Sequence, residues 1–139
     1  MTALQAKILI PGGPTSGRAL VLHAPISFWG GVDPRSGSIA DVRHPQHGVT
    51  IGNQVLFLPG TIGSSSASAV LMELVHNGNA PAAIILHEPD AILLLGLIVA
   101  REMGWPTPPA LQLDRMRHAE FSGFDVAVSD EGVVSVRWG

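Results

Sequence analysis

The run Val55-Leu56-Phe57-Leu58 is apolar throughout and stops at Pro59-Gly60. Thr61-Ile62-Gly63 follows, then Ser64-Ser65-Ser66-Ala67-Ser68, and then a helix pattern with Val70, Leu71, Leu74 and Val75 on one face. Asn77-Gly78 gives that helix an ordinary C-terminal stop. A strand, a glycine-flanked turn and a serine-led helix gather unpaired helical N–H groups beside the serine hydroxyls. The helix dipole adds positive potential at the same place. Such a turn can hold a carboxylate or phosphate, or help a serine lose its proton.

The other segments build a sheet around this unit. Lys7–Ile10 reads as a short strand stopped by Pro11-Gly12-Gly13-Pro14, and Arg18–His23 as another rich in β-formers. Ser38–Val42 alternates like a half-buried strand. Ala82–Leu86 is apolar on both faces, as in strands buried in parallel sheets. Pro89–Met103 is predicted to be helical, with Pro89 in its first turn and Gly104 as its terminator. After Pro106, Pro108 and Pro109, Ala110–Leu113 forms a further short apolar run. Asp125–Val128 and Val133–Val136 read as a hairpin turning at Ser129–Gly132. Several strands before the first helix and a closing hairpin predict a β-rich α/β domain rather than a regular doubly wound fold. No repeat or linker divides the 139 residues, so one domain is expected.

Composition narrows the partners. Hydrophobic residues make up 46% and charged residues 14%, which argues against disorder and leaves the surface under-charged for a free monomer. Part of that surface is expected to be covered by another chain. A net charge of −3, one lysine (Lys7) and scattered arginines make nucleic acid an unsuitable partner. The stretch Met1–Lys7 lacks the features of a signal peptide, and Ala91–Ala100 is too short to span a bilayer. A cytoplasmic protein without a membrane partner is expected. The sequence has no cysteine, which excludes disulfides, thiolate catalysis and thiolate metal ligands from this chain.

Each candidate site has a structural reading beside its functional one. The serine turn serves either as a plain N-cap or as an anion or catalytic site; its place between an apolar strand and an apolar helix favours the latter. It lacks the lysine and spacing of a nucleotide P-loop, and Ser66 stands where a nucleophile elbow needs glycine. His44 and His47 near Asp41 suggest either a metal site or, more simply, solvated turn histidines. His87, Glu88 and Asp90 follow an apolar strand, where functional groups collect at a sheet's carboxyl edge, but acids at a helix N-terminus explain them equally. His23 reads as a core or rim histidine, and Asp33 with Arg35 as a turn ion pair. Phe28 and Trp29 sit in a loop of glycines and prolines, Ala24–Gly37, and need either a pocket or a partner surface.

Taken in order, Pro25-Ile26-Ser27-Phe28-Trp29-Gly30-Gly31-Val32-Asp33-Pro34, Asp41, His44-Pro45, Gly63–Ser66 and Ala80-Pro81-Ala82-Ala83-Ile84-Ile85 resemble one known pattern. It is that of the small subunit of the aconitase X family, the swivel-domain partner of a separate large subunit. The resemblance runs from about Arg18 to Trp105. It implies an aconitase-like swivelling β/β/α domain, a small sheet barrel flanked by helices. It also implies a dehydratase that removes the proton next to a carboxylate, while an iron or iron–sulfur centre helps hydroxide leave.

By the same resemblance Ser64 is the general base. The substrate-binding set is Gly63, Ser65 and Ser66, together with Ser27, Phe28 and Trp29 beside the substrate or at the interface. Aconitases carry a substrate-gripping arginine where this chain has Ser66, so carboxylate recognition is expected from backbone N–H groups or from the large subunit. A chain without cysteine leaves any iron–sulfur cluster to that large subunit. Bacterial members of the family act on cis-3-hydroxy-L-proline and archaeal ones on phosphomevalonate. The low lysine and glutamate content and the lack of a basic phosphate clamp favour hydroxyproline. A non-catalytic anion-binding or regulatory module is the reading from a different class.

Overall fold

Residues 2–137 are described by the structure, a computed structural model. The first half holds β1 (Ala3–Gln5), β2 (Lys7–Ile10), β3 (Thr15–Val21), the single turn α1 (Phe28–Gly31), β4 (Val32–Asp33) and β5 (Ser38–Ile39). The second holds β6 (Val55–Leu58), α2 (Ala67–His76), β7 (Ala83–Leu86), α3 (Ala91–Glu102), β8 (Ala110–Gln112), a 3-10 helix (Arg115–Phe121), β9 (Asp125–Val128) and β10 (Val133–Val136).

Eight strands form one sheet in the order β1-β10-β9-β3-β6-β7-β8-β2. The two strands at the ends of this order, β1 and β2, are separated in sequence only by Ala6, whose N–H donates to Gly132 O at 2.9 Å. Both ends of the sheet are therefore successive pieces of one stretch, and the sheet curls into a barrel without a long free edge. β3 turns one corner of it. Its first half, Thr15–Arg18, pairs antiparallel with β9, and its second half, Ala19–Val21, pairs parallel with β6. β6, β7 and β8 continue in parallel.

Alternation along the apolar runs then separates two cores. Val55, Phe57, Ala83 and Ile85 join Val126, Val128 and Val134 inside the barrel. Leu56, Leu58, Ile84 and Leu86 point the other way and are covered by Leu71 and Leu74 of α2 and Leu93 and Leu97 of α3. This is the β-rich α/β architecture expected from the sequence. Among the described residues no helix is long and apolar enough to cross a membrane.

Several boundaries move for identifiable reasons. The strand expected at Arg18–His23 begins at Thr15 and ends at Val21, because its N-terminal half finds β9 and Gln46 takes over at its end. Gln46 Nε2 donates to Val21 O at 3.0 Å and its Oε1 accepts His23 N–H at 2.9 Å. The strand expected at Ser38–Val42 is cut to Ser38–Ile39: Asp41 Oδ1 accepts Arg43 N–H at 2.9 Å, closing a turn that leaves Val42 exposed. The helix expected from Pro89 begins at Ala91, since Asp90 has extended backbone and caps it. The predicted hairpin forms with its predicted strand boundaries.

The 3-10 helix fills the barrel's end. Phe121 stacks on Phe57 at 5.3 Å between ring centroids, and His118 meets the same ring edge-on at 5.3 Å. His118 is buried and its Nε2 donates to Leu113 O at 2.8 Å. Burial, only partly opposed by that carbonyl, holds its pKa below the ordinary histidine value. The unfolded chain therefore binds this proton more readily than the folded one. The stabilising effect is complete above a pH of about 6.5 and falls away below it, by up to about 1.4 kcal/mol per pH unit. Urea unfolding midpoints are expected to drop from pH 7.5 to pH 5.5, and His118→Gln is expected to flatten that drop. An undiminished drop in the variant would show that other groups carry it.

Candidate active site

β6 and β7 are parallel neighbours, so the turns that leave their carboxyl ends lie side by side. Between them is an open cleft of about 450 Å³, lined by Gly60, Thr61 and Gly63 from one turn and His87, Glu88 and Asp90 from the other. The sheet thus brings the start of the serine turn, Gly60 to Gly63, beside the acid-and-histidine cluster that the sequence placed at a strand's end, while Ser64, Ser65, Ser66, Ser27 and Trp29 are not among the residues lining the cleft. A parallel bridge from Ile26 to Thr61, with Ile62 N–H donating to Ile26 O at 3.0 Å, brings the Ser27–Trp29 segment beside the same turn.

The three serines are not equivalent. Ser66 formally precedes α2, but its backbone is already helical (φ −87, ψ −7) and its hydroxyl caps nothing. Ser64 does the capping: its Oγ accepts Ser66 N–H at 3.2 Å and its carbonyl accepts Ala67 N–H at 3.1 Å. Ser64 is half-buried, whereas Ser65 is exposed and its carbonyl takes only a long 3.5 Å bond from Ser68 Oγ. The hydroxyl that already rests against a backbone N–H at the positive end of α2 is that of Ser64. Gly63 has open space where a side chain would begin and no left-handed backbone, so neither packing nor conformation demands glycine there.

The aromatic pair divides. Phe28 is buried at 1% exposure in the helix-side core, so it supports the loop from within and offers no free surface to a substrate. Trp29 stands out at 62% exposure, with Ile62 at 58%. Trp29 leaves the helical conformation (φ −73, ψ 113), and Gly30 after it takes a left-handed backbone (φ 78) that favours glycine. Ser27 is half-buried and its hydroxyl caps no helix. On α3, Ile92 lines the cleft and is exposed; Leu95 and Ile98 are exposed further along the helix, and Met103 just beyond its far end.

The remaining candidates hold structure together. His44 is buried, not solvated: Nδ1 accepts Gln46 N–H at 3.0 Å, so Nε2 carries the proton donated to Ala24 O at 3.1 Å. Both ring nitrogens are thereby engaged with backbone. His23 is exposed. Asp33 Oδ1 accepts Arg35 N–H at 2.9 Å, and this bond, with the Arg35 guanidinium, keeps its carboxyl below the usual range. His87 Nδ1 accepts Arg115 N–H at 3.0 Å, leaving its Nε2–H in the direction of Glu88 Oε1, 4.0 Å away.

Sequence reasoning gave Thr61 no role of its own. Its Oγ1 donates to Asp90 Oδ2 at 2.7 Å, while Asp90 Oδ1 accepts Ile92 and Leu93 N–H at 3.1 Å each. A threonine beside the Pro-Gly stop of an apolar strand was the one available signal. The cleft carries two carboxylates and no arginine or lysine, and Lys7 borders the adjoining hollow that shares His87 and Glu88 with it.

Residues 3–136 match the family model of the aconitase X swivel domain. The chain is 47% identical over 102 residues to the cis-3-hydroxy-L-proline dehydratase of Pseudomonas aeruginosa, a match covering 70% of this chain and 18% of that protein. It is 38% identical to the phosphomevalonate dehydratase small subunit of Thermococcus onnurineus, over 91% of this chain and 93% of that one. The chain thus spans less than a fifth of the hydroxyproline dehydratase it matches, and nearly all of the small subunit. Its fold superposes on a chain of the Thermococcus kodakaraensis aconitase X crystal structure (holo form) with a TM-score of 0.82, at 28% identity, covering 99% and 100% of the two chains. The chain belongs to the aconitase X swivel-domain family.

Proposed function

We propose that this chain, acting as a single swivel domain, is the small subunit of an aconitase X-type hydro-lyase that dehydrates cis-3-hydroxy-L-proline. Ser64 is the general base. The observation that carries this reading is the Ser64 hydroxyl held against Ser66 N–H at 3.2 Å, at the N-terminus of α2 and next to the cleft residue Gly63. Serine takes the substrate's proton as its alkoxide, after giving up its own hydroxyl proton, so that alkoxide must be stabilised. A backbone N–H and the helix dipole supply that stabilisation, and they gain strength when a partner closes the site to water.

The partner is a large catalytic subunit. The exposed apolar side chains of Trp29, Ile62, Ile92 and Leu95 support it, as do the absence of arginine and lysine from the cleft's lining and the small-subunit name of the archaeal relative. An iron or iron–sulfur centre does not fit this chain. The sequence has no cysteine, and among the described residues no three His, Asp or Glu side chains are grouped to hold a metal ion. We assign that centre to the large subunit and give this chain proton abstraction, with Gly63, Ser65, Ser66, Ser27 and Trp29 bordering the substrate.

Phosphomevalonate remains the second reading, favoured by the nearly full-length match to the archaeal small subunit. The higher identity to the hydroxyproline enzyme and the lack of a basic clamp in the cleft support the first. Co-expression with a large-subunit gene of the same family, followed by assay of both substrates, tests the proposal. Dehydration of cis-3-hydroxy-L-proline is expected. Turnover of phosphomevalonate alone would exchange the substrate. An inert, non-associating chain would overturn the enzyme reading in favour of an anion-binding module.

A further inference from the structure

We propose that Thr61 and Asp90 form a positioning clamp that fixes the serine turn for proton transfer, an inference that rests on Ser64 being the base. The turn between β6 and α2 is weakly held by packing. Gly60 approaches only Pro25, at 3.6 Å from a notional Cβ, Gly63 borders open space, and the Ile62 side chain is exposed. Hydrogen bonds hold it in place of packing. Ile62 N–H reaches Ile26 O at 3.0 Å on one side, and Thr61 Oγ1 reaches Asp90 Oδ2 at 2.7 Å on the other.

Asp90 is itself held in place by its second oxygen, which caps α3 by accepting Ile92 and Leu93 N–H. The rigid end of α3 is thus tied by one charge-assisted hydrogen bond to a loop that starts the serine turn three residues later. The clamp spans two loops that are distant in sequence and adjacent at the sheet's carboxyl edge. Thr61 touches no reacting atom; it acts through Ser64. The hydroxyl matters and the methyl does not, so valine removes the clamp and serine preserves it. Proton transfer is sensitive to placement at the scale of an ångström, while substrate binding through the partner is much less so.

Two measurements test the clamp. In the complex with the large subunit, Thr61→Val is expected to lower kcat at least tenfold with KM within threefold, and Thr61→Ser to restore kcat to within threefold of the parent. In this chain, amide hydrogen exchange at Ile62–Ser66 is expected to accelerate at least tenfold in Thr61→Val, with the β9–β10 hairpin unchanged. A Thr61→Val kcat within twofold of the parent, unchanged exchange at Ile62–Ser66, or a Thr61→Ser variant as slow as the valine one would each overturn it. Should Ser64→Ala keep full activity, the base assignment fails by itself, and the exchange rates alone uphold or overturn the clamp.

Discussion

In the complex with the large subunit, Ser64→Ala is expected to lower kcat by about 10²- to 10⁴-fold, the range a positioned general base contributes. KM is expected to move far less, because the hydroxyl's contribution arises as the proton is transferred and not when the substrate docks. The neighbouring serines give the contrast that isolates the effect. Ser66 contributes its N–H to Ser64 Oγ, and Ser66→Ala keeps that N–H. Ser65 is exposed, and alanine there leaves the turn intact. Both variants are expected to stay within about tenfold of the parent, well above the floor set by loss of a base. Ser64→Ala also removes a cap from α2, at a cost of about 1 kcal/mol. Thermal melting and co-purification with the large subunit therefore accompany the kinetics. A folded, assembled and fully active Ser64→Ala complex would remove Ser64 from the mechanism.

How much of the fold and of the site is legible in the sequence depends on how local each signal is. Val55–Leu58 and Ala82–Leu86 announce buried strands because every residue in them is apolar, and the sheet buries both faces of Val55–Leu58 and of Ala83–Leu86, leaving Ala82 outside the strand. The serine turn is legible because glycine, serine and an apolar periodicity adjoin within a few residues. The closing of the barrel is not. It depends on Ala3–Gln5 and Lys7–Ile10 pairing with strands about a hundred residues away or more, and nothing in Ala3-Leu4-Gln5 names β10 as its partner.

The 3-10 helix is equally hidden. Only His118 and Phe121 turn inward, in a segment whose Arg115, Met116 and Arg117 face solvent. His44 looks like a surface histidine because its neighbours are polar, yet its ring replaces missing strand partners with hydrogen bonds to Ala24 and Gln46. Phe28 and Trp29 mark the limit. Two adjacent aromatics in a glycine-rich loop both look in need of cover, but only the tertiary structure shows that Phe28 enters the core and Trp29 stays exposed. Asp90 is legible as a helix-start acid, but its second bond goes to Thr61, 29 residues away, and no local pattern reports that.

Gly96→Val is expected to destabilise the fold by about 3 kcal/mol and to slow the assembled enzyme by about 100-fold. A glycine in the middle of a twelve-residue helix sacrifices about 1 kcal/mol of helix propensity relative to alanine, so it calls for a local reason. The backbone at Gly96 is not left-handed, so conformation is not that reason. Space is. A Cβ at Gly96 would stand 2.6 Å from Ser68 O and 3.1 Å from Ser68 Cα. Both obstacles are backbone atoms in the first turn of α2, so no side chain can rotate away. Relief has to come from separating α3 from α2, which opens the helix-side core around Leu71 and Leu97.

Alanine gives an intermediate case, since its better helix propensity offsets part of the clash, and valine adds two methyl groups with no such gain. For a domain of this size the valine variant is expected to melt lower by about 10 °C. The catalytic effect follows from the same displacement, because Ser68, in the first turn of α2, lies four residues beyond Ser64. Moving it by an ångström moves Ser64, the proposed base, relative to the substrate, which on the proposed function is held by another chain. Thermal melts and steady-state kinetics on the complex check both parts. A Gly96→Val complex that melts within about 2 °C of the parent would show that the helices yield without strain. One that melts low but retains its kcat would show that the close approach of α3 to α2 serves stability and leaves the serine turn where it was.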